Sequence, residues 1–264
     1  VPNDDGAGRH PYFSPPGPRI LAHRGLVTPE AAELGVVENS FAAFAAAHAA
    51  GADYVESDCH LTRDGVAVLF HDDDLTRVTG DPRTLAEVTS TELESIMSDR
   101  GGLIDVAQAL EAFPTLRFNL DIKAAAAAET VGRLVAPHGE RVLVTSFSDK
   151  RRMQALEAAS RAGGERPATS AGTATMARLL AAVALGSDRA VRRVLAGVDA
   201  LQIPERYGRV RVLTPRLTRA AHRHGVEVHV WTVNEPDEMR RLVASGVDGI
   251  VTDYADIALE TLTE

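Results

Sequence analysis

Eight short apolar runs, at residues 20–23, 54–60, 116–122, 142–146, 168–170, 200–203, 226–233 and 249–252, alternate with longer helical stretches at 40–50, 124–135, 149–161, 214–224 and 235–245. This rhythm predicts parallel strands covered by helices, because a parallel pair needs a crossover long enough to hold a helix. A ninth run, 66–70, follows the turn dipeptide Asp64-Gly65. A two-residue turn makes only antiparallel pairing, so this run reads as a hairpin excursion after the second strand rather than a member of the parallel sheet. Eight strands remain, the number that closes a (β/α)8 barrel of TIM type, and 264 residues is near the ~250 usual for that fold. The expectation is one α/β barrel domain over residues 19–264. The Gly-, Pro- and Asp-rich residues 1–18 read as an arm laid on its surface.

Composition excludes several classes of function. No run approaches ~18 consecutive apolar residues, so integral membrane association is not expected. A net charge of −9 argues against nucleic-acid binding, which needs a basic surface to displace counterions. The single cysteine, Cys59, rules out an intrachain disulfide and fits a reducing, cytoplasmic compartment. Because the chain begins at Val1 rather than Met, an exported form stays compatible with it. No heptad or apolar stripe announces a subunit interface.

Strand parity gathers the polar residues. Val226, Val228 and Val230 alternate with Glu227, His229 and Trp231, and Phe118, Leu120 and Ile122 alternate with Asn119, Asp121 and Lys123. The aliphatic sets should meet the helices and the polar sets the barrel interior. His23, Glu56, Asp58, Asp121 and Trp231 all fall at the C-terminal ends of their strands, where barrels of this type build active sites. Glu56 and Asp58 share a strand face, and two carboxylates ~4 Å apart repel by ~4 kcal/mol at an effective dielectric of about 20, so a cation or shared proton is expected between them. If Asp64-Gly65 are the two central residues of a tight hairpin, pairing runs outward until Asp58 stands directly opposite His71.

These segments, Ala22-His23-Arg24-Gly25, Glu38-Asn39-Ser40-Phe41, Glu56-Ser57-Asp58, Leu61-Thr62-Arg63-Asp64-Gly65-Val66 through His71-Asp72, Trp231-Thr232-Val233-Asn234 and Asp248-Gly249-Ile250-Val251-Thr252-Asp253, resemble the glycerophosphodiester phosphodiesterase family. The resemblance implies a (β/α)8 barrel that hydrolyses glycerophosphodiesters to glycerol 3-phosphate and an alcohol with a divalent cation, Mg2+ or Ca2+. It makes His23 and His71 the acid–base pair and Arg24 a phosphate ligand. Glu56, Asp58 and Asp121 become the metal ligands, Glu38 and Lys123 part of the polar shell, and Trp231 a substrate wall. Elementary chemistry supports the division, since a phosphodiester needs positive charge where more negative charge develops and proton transfer at the entering and leaving oxygens. The expected partner is a small-molecule glycerophosphodiester. The chain departs from the family pattern at Asp121, where a glutamate is usual, at residues 26–37, which form a longer loop than usual, at Val37, where proline is common, and at Ser40, where threonine is common.

Other residues read more simply. His48, His138, His222 and His224 suit cations near helix ends, His229 a hydrogen-bonded core histidine, and Lys150-Arg151-Arg152 a solvated helix face. Phe147 follows a strand end and could border the pocket; Asp72 could orient a neighbour. Residues 171–198 have room for two short helices whose apolar residues suit core packing or a lipid-accepting rim. With no long hydrophobic groove evident, water-soluble diesters are expected to be the better substrates. The alternatives are a lysophospholipase D or sphingomyelinase D-like activity, whose related toxins lack the His23-Arg24-Gly25 run, and an inactive phosphodiester-binding barrel.

Overall fold

In the computed structural model, residues 9–263 are described. Eight parallel strands form the ring: β1 (Arg19–His23), β2 (Tyr54–Leu61), β3 (Arg117–Ile122), β4 (Val142–Thr145), β5 (Ala168–Thr169), β6 (Ala200–Ile203), β7 (Glu227–Val230) and β8 (Gly249–Thr252). Their order is β5-β4-β3-β2-β1-β8-β7-β6, and a parallel bridge between Ser170 and Ala200 closes the gap between β5 and β6. This is the expected barrel. The aliphatic members of β3 and β7, Phe118, Leu120, Ile122, Val228 and Val230, are buried in the layer between strands and helices. Phe44, on the helix Phe41–Ala49, stacks on Phe118 there with ring centroids 6.4 Å apart. Ser40 starts that helix by accepting a hydrogen bond from the Ala43 amide at 3.2 Å, so either a serine or a threonine would serve as its cap.

The excursion strand, Ala67–Leu69, pairs antiparallel with β2 as expected, but its register corrects the sequence reading. Cys59 faces Leu69, His60 faces Val68 and Leu61 faces Ala67. The connection is a three-residue loop, Arg63, Asp64 and Gly65, with Gly65 in the left-handed region at φ 83° and the Thr62 amide bonded to the Val66 carbonyl at 3.0 Å. One additional loop residue shifts the register by one, and the Phe70 amide, not His71, meets Asp58 across the ladder.

The arm expectation also needs correction where it can be tested; residues 1–8 lie outside the described residues. Tyr12 and Phe13 are fully buried, in a cluster with the inward-facing Leu21, Tyr54, Leu143, Ala168, Ala200 and Val251. An eight-stranded ring leaves its interior to be filled by side chains, and here two aromatics from before β1 supply part of the filling. The same interior holds Arg19, whose guanidinium donates to Glu227 at 3.0 Å and to the Phe13 carbonyl. Burial opposes ionisation of Glu227, yet hydrogen bonds from His229, at 2.8 Å, and Arg19 keep its carboxyl below the usual range. His229 is therefore the hydrogen-bonded core histidine that parity suggested. Arg152 departs from the solvated-face reading: it is buried and donates to Thr169 Oγ1 at 3.3 Å. Among the described residues no helix is long and apolar enough to cross a membrane.

Candidate active site

Strand register brings the polar residues side by side. His23 of β1 aligns with Glu56 of β2, Glu56 with Asn119 of β3, Asp58 with Asp121, and Asp121 with Thr145 of β4. At the end of β1 the chain turns sharply. Arg24 sits in the left-handed region at φ 61°, which costs a residue with a Cβ roughly 1–2 kcal/mol, and its amide donates to the Glu56 carbonyl at 2.8 Å. Gly25 follows at φ 90°, where an added Cβ would lie 2.7 Å from the Ala43 carbonyl carbon. His-Arg-Gly is thus a local solution to one problem: the histidine ends the strand, the arginine folds over its mouth, and only glycine fits against the next helix.

Each of the two candidate histidines is tied through Nδ1 to its own carboxylate. His23 Nδ1 lies 2.6 Å from Asp253 Oδ1, and Asn234 holds Asp253 by donating to Oδ2 at 2.7 Å. These bonds, from His23 first, hold the Asp253 carboxyl below the usual range against the effect of burial. His71 Nδ1 lies 2.6 Å from Asp72 Oδ1, and Arg77 grips Asp72 Oδ2 at 2.6 Å. Burial raises Asp72, but the bonds from His71 and Arg77 outweigh it and its carboxyl ends below the usual range. Asp72, not Asp58, is thus the carboxylate beside His71. Arg77 also donates to Glu38 at 2.6 Å, and Glu38 accepts from Arg24 at 2.7 Å. Glu38 braces Arg24 from behind and is not among the residues that line the cavity.

Beneath the histidines, Glu56, Asp58 and Asp121 are buried together, Asp58 with only 3% of its side chain exposed. Lys123 Nζ lies 2.9 Å from Asp58 Oδ1 and 2.7 Å from Asp121 Oδ2. Burial disfavours the Lys123 ammonium, but Asp121 and Asp58 override it and hold the proton well above the usual lysine range. Burial, then the neighbouring Asp58 and Asp121, pushes Glu56 well above the ordinary carboxyl range, and burial likewise raises Asp121 despite Lys123. The cluster is short of positive charge. One oxygen of each acid, Glu56 Oε2, Asp58 Oδ2 and Asp121 Oδ1, is buried without accepting a hydrogen bond, although Asp58 Oδ2 lies 3.4 Å from Arg24 Nε and Glu56 Oε2 3.8 Å from His23 Nε2. Hard oxygen donors that accept no hydrogen bond suit a hard divalent cation. Two of the acids, Asp58 and Asp121, pair with Lys123, and among the described residues no three acid, histidine or cysteine side chains form a ready-made metal cage.

These groups occupy one end of a cavity of about 610 Å³. His23, Arg24, Glu56, Asp58, His71, Asp121, Lys123 and Trp231 all line it, so eight of the nine residues singled out in the sequence meet in one space. Phe147 borders it too, packed edge-on against Trp231 at 6.0 Å and with Lys123 Nζ 5.5 Å from its ring centroid. The rest of the wall corrects the expectation that the mouth lacks a hydrophobic groove. Met176 and Leu180 of the helix Thr173–Ala184 and Tyr207 and Val210 of a small hairpin extend it as an apolar wing. Strand parity turned Asn119 inward without giving it a role, and it lines the cavity; the supporting roles of Asp253 and Asn234 were not read from the sequence. Asp253 stood at the end of a quoted motif, but nothing local tells that it meets a histidine 230 positions away.

A sequence model of the "Glycerophosphoryl diester phosphodiesterase family" matches residues 23–257. The "Probable glycerophosphodiester phosphodiesterase 2" of Mycobacterium tuberculosis is 36% identical over 98% of this chain and 96% of its own length. Among solved structures, the glycerophosphodiester phosphodiesterase of Thermotoga maritima superposes with a TM-score of 0.70 at 24% identity, over 92% of this chain and 97% of that one. A phosphodiesterase of Oleispira antarctica, solved in complex with the product sn-glycerol-3-phosphate, also superposes with a TM-score of 0.70, at 21% identity over 94% of this chain and 98% of that one.

Proposed function

We propose, from the premise that this chain belongs to the glycerophosphoryl diester phosphodiesterase family, that it hydrolyses glycerophosphodiesters to glycerol 3-phosphate and an alcohol with His23 and His71 as its acid–base pair. The enzyme is a phosphoric diester hydrolase. The observation that carries the histidine assignment is that both rings line one cavity while each gives its Nδ1 to a private carboxylate, Asp253 or Asp72. That arrangement leaves each Nε2 without a hydrogen bond and available for proton transfer, with His23 Nε2 standing 3.8 Å from Glu56 Oε2. One imidazole takes the proton of the attacking oxygen and the other returns one to the departing alkoxide. Arg24, braced by Glu38, faces the cavity as a fork for two phosphate oxygens, and Lys123 adds a point charge. Trp231 walls the substrate.

Glu56, Asp58 and Asp121 would hold a divalent cation, Mg2+ or Ca2+, in keeping with an all-oxygen donor set and with the three buried oxygens that accept no hydrogen bond. When bound, such an ion supplies positive charge to the phosphate oxygens as negative charge builds on them. The aspartate at 121, a methylene shorter than glutamate, and Lys123 between the acids make the choice of ion a property of this chain.

The test is steady-state hydrolysis of glycerophosphocholine with and without exhaustive EDTA. His23→Ala and His71→Ala should each lose ~100-fold or more in kcat, and the double variant little beyond the worse single, since groups acting as one unit are not additive. Replacing the general acid should cost far less with an aryl leaving group, which departs without a proton. Both variants remaining within about tenfold of wild type would refute the histidine pair, and full activity after chelation would refute the cation.

A further inference from the structure

Charge is spread unevenly over the surface. Residues 178–223 hold ten arginines against three acids, although the chain as a whole carries a net charge of −9. All three acids are already engaged: Asp188 by Arg223 at 3.2 Å and His224 at 3.3 Å, Asp199 by Arg166 at 2.7 Å, and Glu205 by Arg241 at 2.6 Å and Arg211 at 3.6 Å. Among the described residues no acid pairs with Arg189, Arg192, Arg193, Arg209, Arg216 or Arg219, and all six are exposed. Elsewhere on the barrel comparable arginines meet a glutamate, as Arg133 and Arg161 both meet Glu129.

Helical periodicity gathers these cations. On the helix Asp188–Leu195, Arg189, Arg192 and Arg193 fall at i, i+3 and i+4, opposite the buried Val191 and Leu195. On the helix Pro215–His222, Arg216 and Arg219 form a second stripe opposite the buried Leu217 and Ala221. The two stripes are neighbours: Asp188, which opens the first helix, pairs with Arg223 just past the second, and a Cβ added to Gly186 would lie 3.2 Å from Arg216 Nη2. Beside Gly186 stands Leu185, 83% exposed. Just before the second helix, the hairpin in which Arg206–Tyr207 pairs with Val210–Arg211 adds Arg209 and the exposed Tyr207.

A guanidinium without a carboxylate suits a phosphate group, which its fork can grip bidentately. Leu185 and Tyr207 narrow the partner further. An exposed leucine gains nothing from a sugar–phosphate backbone, whereas the interfacial layer of a bilayer accepts guanidinium and hydrocarbon side by side. The net charge of −9 does not prevent such contact. At ~0.1 M salt the Debye length is ~10 Å, so a membrane feels the face nearest to it and not the acids on the far side of the barrel.

We propose that the sector spanning residues 185–223 is a docking face for an anionic phospholipid bilayer, on which the protein sits peripherally. The experiment sediments the full chain with vesicles of phosphatidylcholine, with and without a fraction of phosphatidylglycerol. Wild type should bind the anionic vesicles, ignore the neutral ones, and be released at ~1 M salt, where the Debye length shrinks to ~3 Å. Each arginine near an anionic surface is worth ~5-fold, so Arg189→Gln, Arg192→Gln and Arg193→Gln combined should lower the partition coefficient ~100-fold, and the same three positions changed to Lys should stay within ~5-fold of wild type. Leu185→Gln should lower it ~10-fold through lost apolar burial. Arg133→Gln combined with Arg161→Gln, on the paired surface, should leave it unchanged. Melting curves matching wild type show that the variants fold.

No binding to anionic vesicles, equal binding to neutral ones, or an unchanged partition in the triple Gln variant refutes the docking face. An unchanged Leu185→Gln, or binding to an RNA oligomer with none to vesicles, assigns the arginines to a polyanion held by charge alone and refutes the bilayer.

Discussion

Asp253→Asn tests how His23 is held. The carboxylate accepts at both oxygens, from His23 Nδ1 at 2.6 Å and from Asn234 Nδ2 at 2.7 Å. An asparagine has one acceptor oxygen and one amino group, so it can satisfy only one of the two donors. If the oxygen stays with Asn234, the amino group meets His23 Nδ1 and forces that nitrogen to accept, which moves the ring proton to Nε2, the wrong tautomer for a base facing the cavity. A hydrogen bond to a charged group contributes ~1.5–3 kcal/mol, and because the Asp253 side chain is 48% exposed, solvent screening discounts this to about 1–2 kcal/mol. Lost from the transition state, that is ~5- to 30-fold in rate, and the tautomer change carries the expected loss to ~10- to 100-fold in kcat. Asp253 is not among the residues lining the cavity, so KM should change less than about threefold. Steady-state kinetics on glycerophosphocholine, with a melting curve as control, reads all of this. A kcat within about twofold of wild type, or a loss confined to KM, would refute the idea that Asp253 sets the tautomer and aim of His23.

Gly25→Ala places a Cβ 2.7 Å from the Ala43 carbonyl carbon at φ 90°, and should cost at least ~2 kcal/mol, a Tm drop of several degrees by calorimetry. Arg77→Met, which removes a half-exposed bridge between Asp72 and Glu38, should lower kcat by less than ~10-fold; a larger loss would mean that the bridge carries more than surface pairing allows. On the opposite face of the barrel, the hydrogen bond to Asp248 at 2.7 Å raises the His222 pKa, and Asp248 is lowered because His222 and the Val228 amide outweigh its burial. The His222 contribution is present below about pH 6.5 and fades as pH rises through its raised folded-state value, while that of Asp248 is present above about pH 3.9 and fades as pH falls through its lowered one. His222→Gln should therefore remove a small part, under ~1 kcal/mol, of any stability lost as pH rises above about 6.5; identical pH–Tm curves for the two proteins would contradict the linkage.

Much of the barrel and of its reactive end could be read along the chain, because both depend on short-range rules. The period of two along 226–231 and 116–123 sorted Val228 and Phe118 outward and Trp231 and Asp121 inward, and the fold agrees because a strand cannot turn one side chain without turning its neighbours. Residues that end strands of one parallel ring must share one mouth, which is why His23, Glu56, Asp58 and Asp121 could be gathered without coordinates. The hairpin register failed by one residue. Asp64-Gly65 is compatible with loops of two or three residues, and the difference is set by how Thr62 and Val66 hydrogen-bond in the folded turn.

What the sequence determined by itself was the order of elements, the facing of each strand and the stock of acids, bases and cations at the mouth. Only the tertiary structure decided which of them touch. Asp253 reaches His23 because β8 neighbours β1 in the closed ring, and Glu38 stands behind Arg24 because the loop before the helix Phe41–Ala49 folds back over β2. Tyr12 and Phe13 fill the barrel interior rather than lie on its surface, since a closed ring needs side chains inside it and no local pattern says which segment will supply them. The apolar wing is the clearest case. Met176 and Leu180 carry the same stripe that a core-packing helix would show, and only the placement of the helix Thr173–Ala184 beside the mouth turns that stripe toward a cavity instead of a neighbouring helix.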